Sequence, residues 1–351
     1  MILPGTAAIP AVHADRLRAA EATGAAAVRL IGSELTPERI VNAKSIENAL
    51  RVLMALGGST NAVIHLTAIA GRAGVKVSLD QINALSDTTP VLVNLKPVGN
   101  GYMEDFFAAG GMGALLRELK PLLHLDCVTV TSETLGERLA ADDGYVDRTI
   151  IAAREKPFEP QGGLVALFGN LAPKGAILKR SAADAKLFEH EGRAVVFSSL
   201  ADLAARIDDP ALDVEPQDIL VLQNAGPNSP DAIPEAGYLP IPKKLAQRGV
   251  KDMIRISDAR MSGTAFGTIV LHVTPDAASG GPLGLAHDGD SIRLSVKERR
   301  IELLVHEAEL KKRAAAAKPV QDIPTRGYAK LYAQEILGAD EGCDFKFLKP
   351  E

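Results

Sequence analysis

The second half of the chain carries a series of short apolar runs separated by turn-forming residues, and this pattern constrains the fold more than any other feature. The runs are rich in Val and Ile, which favour β-strands, while the Gly, Pro and Asp between them favour turns. The last two runs are joined by residues 297–300, a length typical of a hairpin, so we expect them to pair antiparallel. This half is therefore predicted to be a β-barrel or sandwich with peripheral helices. The runs are 163–168, 193–197, 219–223, 253–256, 269–273, 291–296 and 301–305.

The first half has the apolar spacing of helices. Thr36 and Pro37 are typical of a helix start, and apolar residues follow at helical spacing from Ile46 to Met54 until a Gly-Gly pair interrupts them. The composition changes at 155–163, where Pro, Gly and charged residues replace the helical pattern. We place a domain boundary there. The expected domains are 1–158 and 159–351, with further helices at 61–73, 105–119 and 199–207 and a short strand at 127–131.

Composition excludes several classes of protein. The chain has 351 residues, 46% hydrophobic and 24% charged, which is ordinary for a globular protein and unlike a disordered or collagenous one. The net charge of −5 and the lack of a basic stripe argue against a nucleic-acid partner. No apolar run approaches the roughly 18 residues that cross a bilayer, and no signal peptide is visible. With only two distant cysteines, a reducing cytoplasm is the expected location.

A stiff loop at 224–237, with the sequence NAGPNSPDAIPEAG, follows one of the predicted strands. It contains Glu235, a carboxylate on a backbone that three prolines and two glycines constrain. Mg²⁺ prefers oxygen ligands and often takes only one or two protein carboxylates. Glu235 is therefore a candidate Mg²⁺ ligand, the alternative being a solvated loop glutamate.

The segment SDARMSGTAFGT at 257–268 lies between two predicted strands and contains Ser262. A serine hydroxyl needs a neighbouring cation or metal to act as an alkoxide, and Arg260 stands two residues away. A plain turn between strands is the alternative. No G-x-S-x-G motif is present and no histidine has informative spacing, which disfavours a hydrolase triad and a zinc site.

Taken together, these segments resemble the family of dihydroxyacid and sugar-acid dehydratases, which are iron–sulfur hydro-lyases. The sequence around Ser262, together with MEDFF at 103–107, is similar to that of the family branch that acts on pentonates such as L-arabinonate or D-xylonate. The matching segments are LPGTAAIPAV (3–12), ALGGSTNAVIHLTAIA (55–70), MEDFFAAGGMGALLREL (103–119), GGLVALFGNLAPKGAILK (162–179), NAGPNSPDAIPE (224–235) and DARMSGTAFGT (258–268).

The resemblance implies both a fold and a reaction. The implied fold is α/β plus β: the remainder of an α/β N-terminal domain, then a β-barrel domain similar to the swivelling domain of aconitase. The implied reaction removes water from a sugar acid to give the 2-keto-3-deoxy acid, with a [2Fe–2S] cluster and Mg²⁺ as cofactors. By position, Ser262 corresponds to the alkoxide base, Thr264 to a substrate-binding residue and Glu235 to a Mg²⁺ ligand. Family members are homo-dimers or tetramers.

The chain departs from the family pattern in its cysteines. The cluster ligands of the family lie upstream of the LPG segment, and neither Cys127 nor Cys343 matches a ligand position. A [2Fe–2S] cluster needs several thiolates, so the chain is expected to contain no cluster ligands. We expect the C-terminal part of a dehydratase that is inactive alone. The alternatives are a dihydroxyacid dehydratase of branched-chain amino-acid synthesis and a non-catalytic remnant that serves as an assembly subunit.

Overall fold

The computed structural model describes residues 1–141, 144–229, 239–261, 266–317 and 324–350. The chain forms two compact units. The first, here called the helical unit, consists of Met1–Gly58, Arg72–Lys76 and Ala84–Gly163. The second, the sheet unit, consists of Ser59–Gly71, Val77–Asn83 and Leu164–Glu351. The division into domains at residue 158 remains a prediction from the sequence.

Local signals decide where the helices begin and end. The side chain of Asn42 accepts hydrogen bonds from two backbone N–H groups of the following turn, so one predicted helix becomes two. Gly110, with φ +106°, likewise divides the helix predicted at 105–119. The strand predicted at 127–131 is wrong, because only Val128 forms a bridge there. The helices are α1 (Ala14–Leu30), α2 (Pro37–Ile40), α3 (Ala43–Ala55), α4 (Thr60–Arg72), α5 (Leu79–Thr88), α6 (Met103–Ala108), α7 (Gly111–Leu119), α8 (Leu135–Ala140), α9 (Leu200–Arg206), α10 (Lys243–Gln247), α11 (Glu307–Ala316) and α12 (Gly327–Glu335).

The helical unit packs around its own apolar core. Phe106, Leu115 and Leu119 come from α6 and α7 and are fully buried. Leu92 and Ile151 belong to extended segments that join the same cluster. Among the described residues, no helix is both long enough and apolar enough to cross a membrane.

The sheet unit is built on an eight-stranded mixed sheet with the order β1-β2-β6-β5-β4-β3-β7-β8. The four central strands β3, β4, β5 and β6 run parallel, and the flanking pairs are antiparallel. The predicted hairpin between the last two strands is confirmed. The strands are β1 (Val165–Leu167), β2 (Gly175–Leu178), β3 (Glu189–Phe197), β4 (Ile219–Leu222), β5 (Arg255–Ser257), β6 (Ile269–Thr274), β7 (Ser291–Ser295) and β8 (Arg300–Leu303).

The two edges of this sheet meet. Phe168, next to β1, donates its N–H to the carbonyl of Arg299, and Ile301 in β8 donates its N–H to the carbonyl of Phe168. These bonds leave a nearly closed, barrel-like sheet, which satisfies the edge groups that an open sheet would expose. The predicted combination of a helix-rich first part and a barrel-like second part is confirmed.

The inner strand β6 contains a bulge. Its register with β2 shifts between the pairs Gly175–Thr274 and Ile177–Leu271. His272 lies inside the shifted stretch and adopts φ +57°, in the left-handed region that disfavours every side chain except a few polar ones. A bulge of this kind redirects a side chain, here that of His272 near the carboxyl end of β6.

Candidate active site

The three residues that the sequence singles out for chemistry, Glu235, Ser262 and Thr264, lie outside the described residues. The segments that lead to them are described up to Ser229 and Met261. The site can therefore be built from the flanks of these residues.

Both flanks leave the sheet at the same edge. The strands β4 and β5 are parallel neighbours, with Leu222 paired to Ser257 at their carboxyl ends. The chain that follows Leu222 leads to Glu235, and the chain that follows Ser257 leads to Ser262. Ligand sites form where loops leave the carboxyl ends of parallel strands, so this edge is the candidate active-site edge.

A fully buried carboxylate, Asp258, joins the two flanks. Its Oδ1 accepts the N–H of Ala225, 3.0 Å away, in the segment that follows β4. Its Oδ2 accepts the N–H of Ala277, 2.9 Å away, in the turn that follows β6. Burial raises the pKa of Asp258 to about 7, while the two N–H groups oppose that rise by favouring the carboxylate. One side chain thus connects three segments at the same edge.

A second buried carboxylate, Asp276, extends these connections. Its Oδ2 accepts the backbone N–H of Asn228 at 2.8 Å and the side-chain amide of the same residue at 3.1 Å. Its Oδ1 accepts the N–H of Ser279 at 2.9 Å, which closes the turn after β6. The segment leading to Glu235 is therefore held at Ala225 and again at Asn228.

His272 lies buried on β6 beside this edge. Burial, reinforced by the positive charge of Arg260, lowers the pKa of its imidazole to about 3. Its Nε2 is buried and has no hydrogen-bond partner in the described part of the chain. The imidazole ring is therefore neutral at physiological pH. The backbone of the same residue has φ +57°, in the left-handed region.

Arg260 influences several other groups near this edge. Burial raises the pKa of the Cys343 thiol to about 12, and the positive charge of Arg260 partly opposes that rise. The same charge acts on Tyr332, whose pKa burial raises to about 12. The guanidinium of Arg260 thus supplies positive potential two residues before Ser262, where an alkoxide would need it.

The two cysteines do not fit a [2Fe–2S] cluster. Burial raises the pKa of both the Cys127 and the Cys343 thiol, which favours the protonated form over the thiolate. Cluster ligands are thiolates, typically four for each cluster. Across the part of the chain that the structure describes, no three His, Cys, Asp or Glu side chains group together as a metal site.

A separate cavity lies in the helical unit. It has a volume of about 420 Å³ and a mainly apolar lining that includes Leu3, Phe107, Leu116 and Leu139. Cys127 is also at its wall. The described groups of the strand edge, Asp258, His272 and Asp276, are not among the residues that line it.

Sequence patterns missed the supporting groups of this edge. Asp258 and Asp276 stand shortly after the ends of β5 and β6, and His272 stands two residues before the end of β6. A polar residue at the carboxyl end of a buried parallel strand was the available signal, and it requires knowing which strands are parallel neighbours.

Two family models match the chain. Residues 1–138 match the model of the dihydroxy-acid/6-phosphogluconate dehydratase N-terminal domain, and residues 149–343 match that of the C-terminal domain. These two matches identify the class of protein as a dehydratase family with an N-terminal and a C-terminal domain. It belongs to the dihydroxy-acid/6-phosphogluconate dehydratase family.

Several individual members of this family are similar to the chain along nearly its whole length. The chain is 46% identical over 351 residues to L-arabinonate dehydratase of Rhizobium leguminosarum bv. trifolii, covering 99% of this chain and 60% of the relative. It is 45% identical over 350 residues to 6-deoxy-6-sulfo-D-gluconate dehydratase of Pseudomonas putida, with coverage of 99% and 60%. A dihydroxy-acid dehydratase of Clostridium botulinum is 39% identical over 347 residues, with coverage of 98% and 62%. The chain thus spans about three fifths of the length of these curated relatives.

Proposed function

We propose that this chain forms the base-bearing part of a hydro-lyase that dehydrates a sugar acid to the 2-keto-3-deoxy acid. A pentonate such as L-arabinonate or D-xylonate is the proposed substrate, supported by the 46% identity to L-arabinonate dehydratase. The observation that carries the proposal is structural. The segments leading to Ser262 and Glu235 leave adjacent parallel strands at one edge, and Asp258 joins them.

Each candidate residue has a proposed role. The Ser262 alkoxide takes the proton from C2, and the bond between C3 and its hydroxyl breaks. The proton and the departing hydroxide together make up the water that is lost, and the enol that forms rearranges to the 2-keto acid. Thr264 holds the substrate through a hydrogen bond, and Glu235 binds Mg²⁺. The positive charge of Arg260 favours the alkoxide over the neutral hydroxyl.

The departing hydroxyl needs an electrophile that the described cysteines do not hold. We propose that the [2Fe–2S] ligands and the rest of the Mg²⁺ shell come from the share of the relatives' length that this chain does not span. It follows that the chain alone is inactive. We further propose a cytoplasmic homo-oligomer, a dimer or tetramer, and a sheet unit related to the swivelling domain of aconitase.

A fusion protein tests the proposal. The chain is joined to the segment of the Rhizobium L-arabinonate dehydratase that it does not cover, and both the fusion and the isolated chain are reconstituted with iron, sulfide and Mg²⁺ without oxygen. We expect the fusion to form 2-keto acid from L-arabinonate or D-xylonate and the isolated chain to form none. In the fusion, Ser262→Ala should lower kcat at least about 1,000-fold with an unchanged cluster spectrum, a loss in the range of that for an essential base.

The control is Ser33→Ala, which removes an exposed hydroxyl in the helical unit and should leave kcat unchanged. Product from the isolated chain would refute its inactivity, and full activity of Ser262→Ala would refute the role of Ser262 as base. Turnover of a branched 2,3-dihydroxy acid in place of the pentonates would identify the dihydroxy-acid dehydratase alternative. A fusion with an intact cluster and no turnover of either substrate would favour the non-catalytic assembly subunit.

A further inference from the structure

The buried Asp258 carboxylate holds the segment that follows β4 through a hydrogen bond from the N–H of Ala225. Its side chain is completely buried, and both of its oxygens accept backbone N–H groups with no cation among its described hydrogen-bond partners. A second carboxylate, Asp276, is close enough for its charge to disfavour ionisation of Asp258. A buried anion without a cation costs free energy, so the arrangement is not explained by stability alone.

The geometry requires a carboxylate at this position. Two N–H groups, from Ala225 and Ala277, point at two different oxygens of one side chain. An asparagine of the same shape could accept only one of them and would present an amide donor to the other. A hydrophobic residue of similar size would leave both N–H groups buried without an acceptor.

The three joined segments are those that matter for the proposed chemistry. Asp258 itself lies four residues before Ser262, and Ala225 lies ten residues before Glu235. Asp276, adjacent to Ala277, holds Asn228 and so fixes the same segment at a second point. The start of the Glu235 segment therefore cannot shift against the start of the Ser262 segment without breaking a bond to Asp258.

We infer that Asp258 is a positioning residue that fixes the spacing between the segments carrying the base and the Mg²⁺ ligand. This inference rests on the function proposed above. Asp258 touches no reacting atom; it acts through the two segments, and Asp276 is its partner in holding them.

Asp258→Asn in the active fusion tests the inference, together with Asp258→Asn in the isolated full chain. In the fusion we expect kcat to fall about 100-fold with KM changed less than about threefold, because a small misplacement of reacting groups costs this much in rate. In the isolated chain, hydrogen exchange followed by mass spectrometry should show at least tenfold faster exchange of the amides at 224–229. Unchanged kcat, or unchanged exchange at 224–229, would overturn the inference.

Asp218→Asn is the matched control. Asp218 is also a buried carboxylate that accepts a backbone N–H, from Glu215 at 2.9 Å. It differs in that it pairs with Arg193 and precedes β4, at the opposite end of the strand. Its replacement should destabilise the chain and leave both exchange at 224–229 and kcat unchanged. If Asp218→Asn reproduces both effects of Asp258→Asn, Asp258 is merely structural and the inference fails.

A second variant covers the case in which Asp258→Asn does not fold. Ala277→Pro removes the N–H that Asp258 Oδ2 accepts and leaves the carboxylate in place. Ala277 is the first residue of a short 3₁₀ helix and follows an extended Asp276, so proline fits there. We expect kcat to fall about tenfold with a native circular dichroism spectrum, and full activity would refute the inference. An inactive fusion with faster exchange at 224–229 in Asp258→Asn would reject the proposed function while retaining the structural coupling.

Discussion

Replacing His272 with asparagine should change how the stability of the chain depends on pH. Asparagine tolerates the φ of +57° that His272 adopts, and it carries no titratable group. Burial lowers the pKa of the His272 imidazole to about 3, whereas a histidine in an unfolded chain has a pKa near 6.5. Between these values the unfolded chain binds a proton that the folded chain does not, so unfolding becomes easier as the pH falls from 6.5 towards 3.

The size of the effect follows from the pKa difference. A pH of 5 lies 1.5 units below the pKa of a histidine in the unfolded chain, which corresponds to about 2 kcal/mol of free energy of unfolding at 1.36 kcal/mol per unit. The wild-type chain should therefore lose about 2 kcal/mol between pH 7.5 and pH 5 that the variant does not lose. The variant also loses packing around the ring, but this cost is independent of pH and shifts its whole stability curve by a constant.

Urea denaturation of the isolated chain at half-unit steps from pH 5 to pH 7.5 measures both curves. The difference between the two free energies of unfolding should shrink steadily as the pH falls. His65→Asn is the control, since His65 is exposed on α4 and its surroundings change little on unfolding. Parallel curves for wild type and His272→Asn would show that the imidazole binds a proton as readily in the folded chain as in the unfolded chain, and would refute the reasoning.

Two further predictions concern the sheet unit. Gly267→Ala should lower the free energy of unfolding by about 2 kcal/mol more than Gly249→Ala, as measured by urea denaturation. Both glycines have positive φ, but a Cβ at Gly267 would overlap the side chains of Arg255 and Asp252, whereas a Cβ at Gly249 would face open space. Equal losses would refute this steric argument. Burial raises the pKa of the half-buried Cys343 thiol to about 12. At pH 8 this thiol should therefore react with iodoacetamide at least tenfold more slowly in the native chain than in 8 M urea, as measured by peptide mass spectrometry. Rapid labelling of the native chain would contradict a protonated thiol.

Part of the fold was predictable because its signals are local. The strand runs from Arg193 onward were recognised from β-branched apolar residues between turn formers, and the final hairpin from its linker length. Strand β2 was missed because GAIL is short and follows a run of Gly, Pro and Lys that reads as a loop. Helix breaks at Asn42 and Gly110 were missed because apolar spacing continues across them, although capping chemistry ends the helix.

The supporting groups of the candidate site were not predictable for a different reason. The order of β4, β5 and β6 in the sheet decides that Asp258, Ala225 and Ala277 meet, and strand order depends on contacts far apart in sequence. Resemblance to a family can indicate Ser262 and Glu235 by position, but it says nothing about the bonds that hold their segments. Those bonds became visible only when the parallel register was known.

The carboxyl edge of the parallel strands concentrates features that cost stability. Asn224 and His272 both adopt positive φ, each at about 1 kcal/mol or more, and Asp258 is a buried carboxylate without a hydrogen-bonded cation in the described structure. A glycine at either position would remove the cost of the positive φ. Positive φ also occurs at Ser132, Arg299 and Cys343, so it is the buried carboxylate of Asp258, close to where the two candidate segments leave the sheet, that distinguishes this edge. A buried carboxylate that joins the two segments is a costly feature of the kind expected where structure is held for chemistry, and it supports the proposal that Ser262 and Glu235 belong to one site.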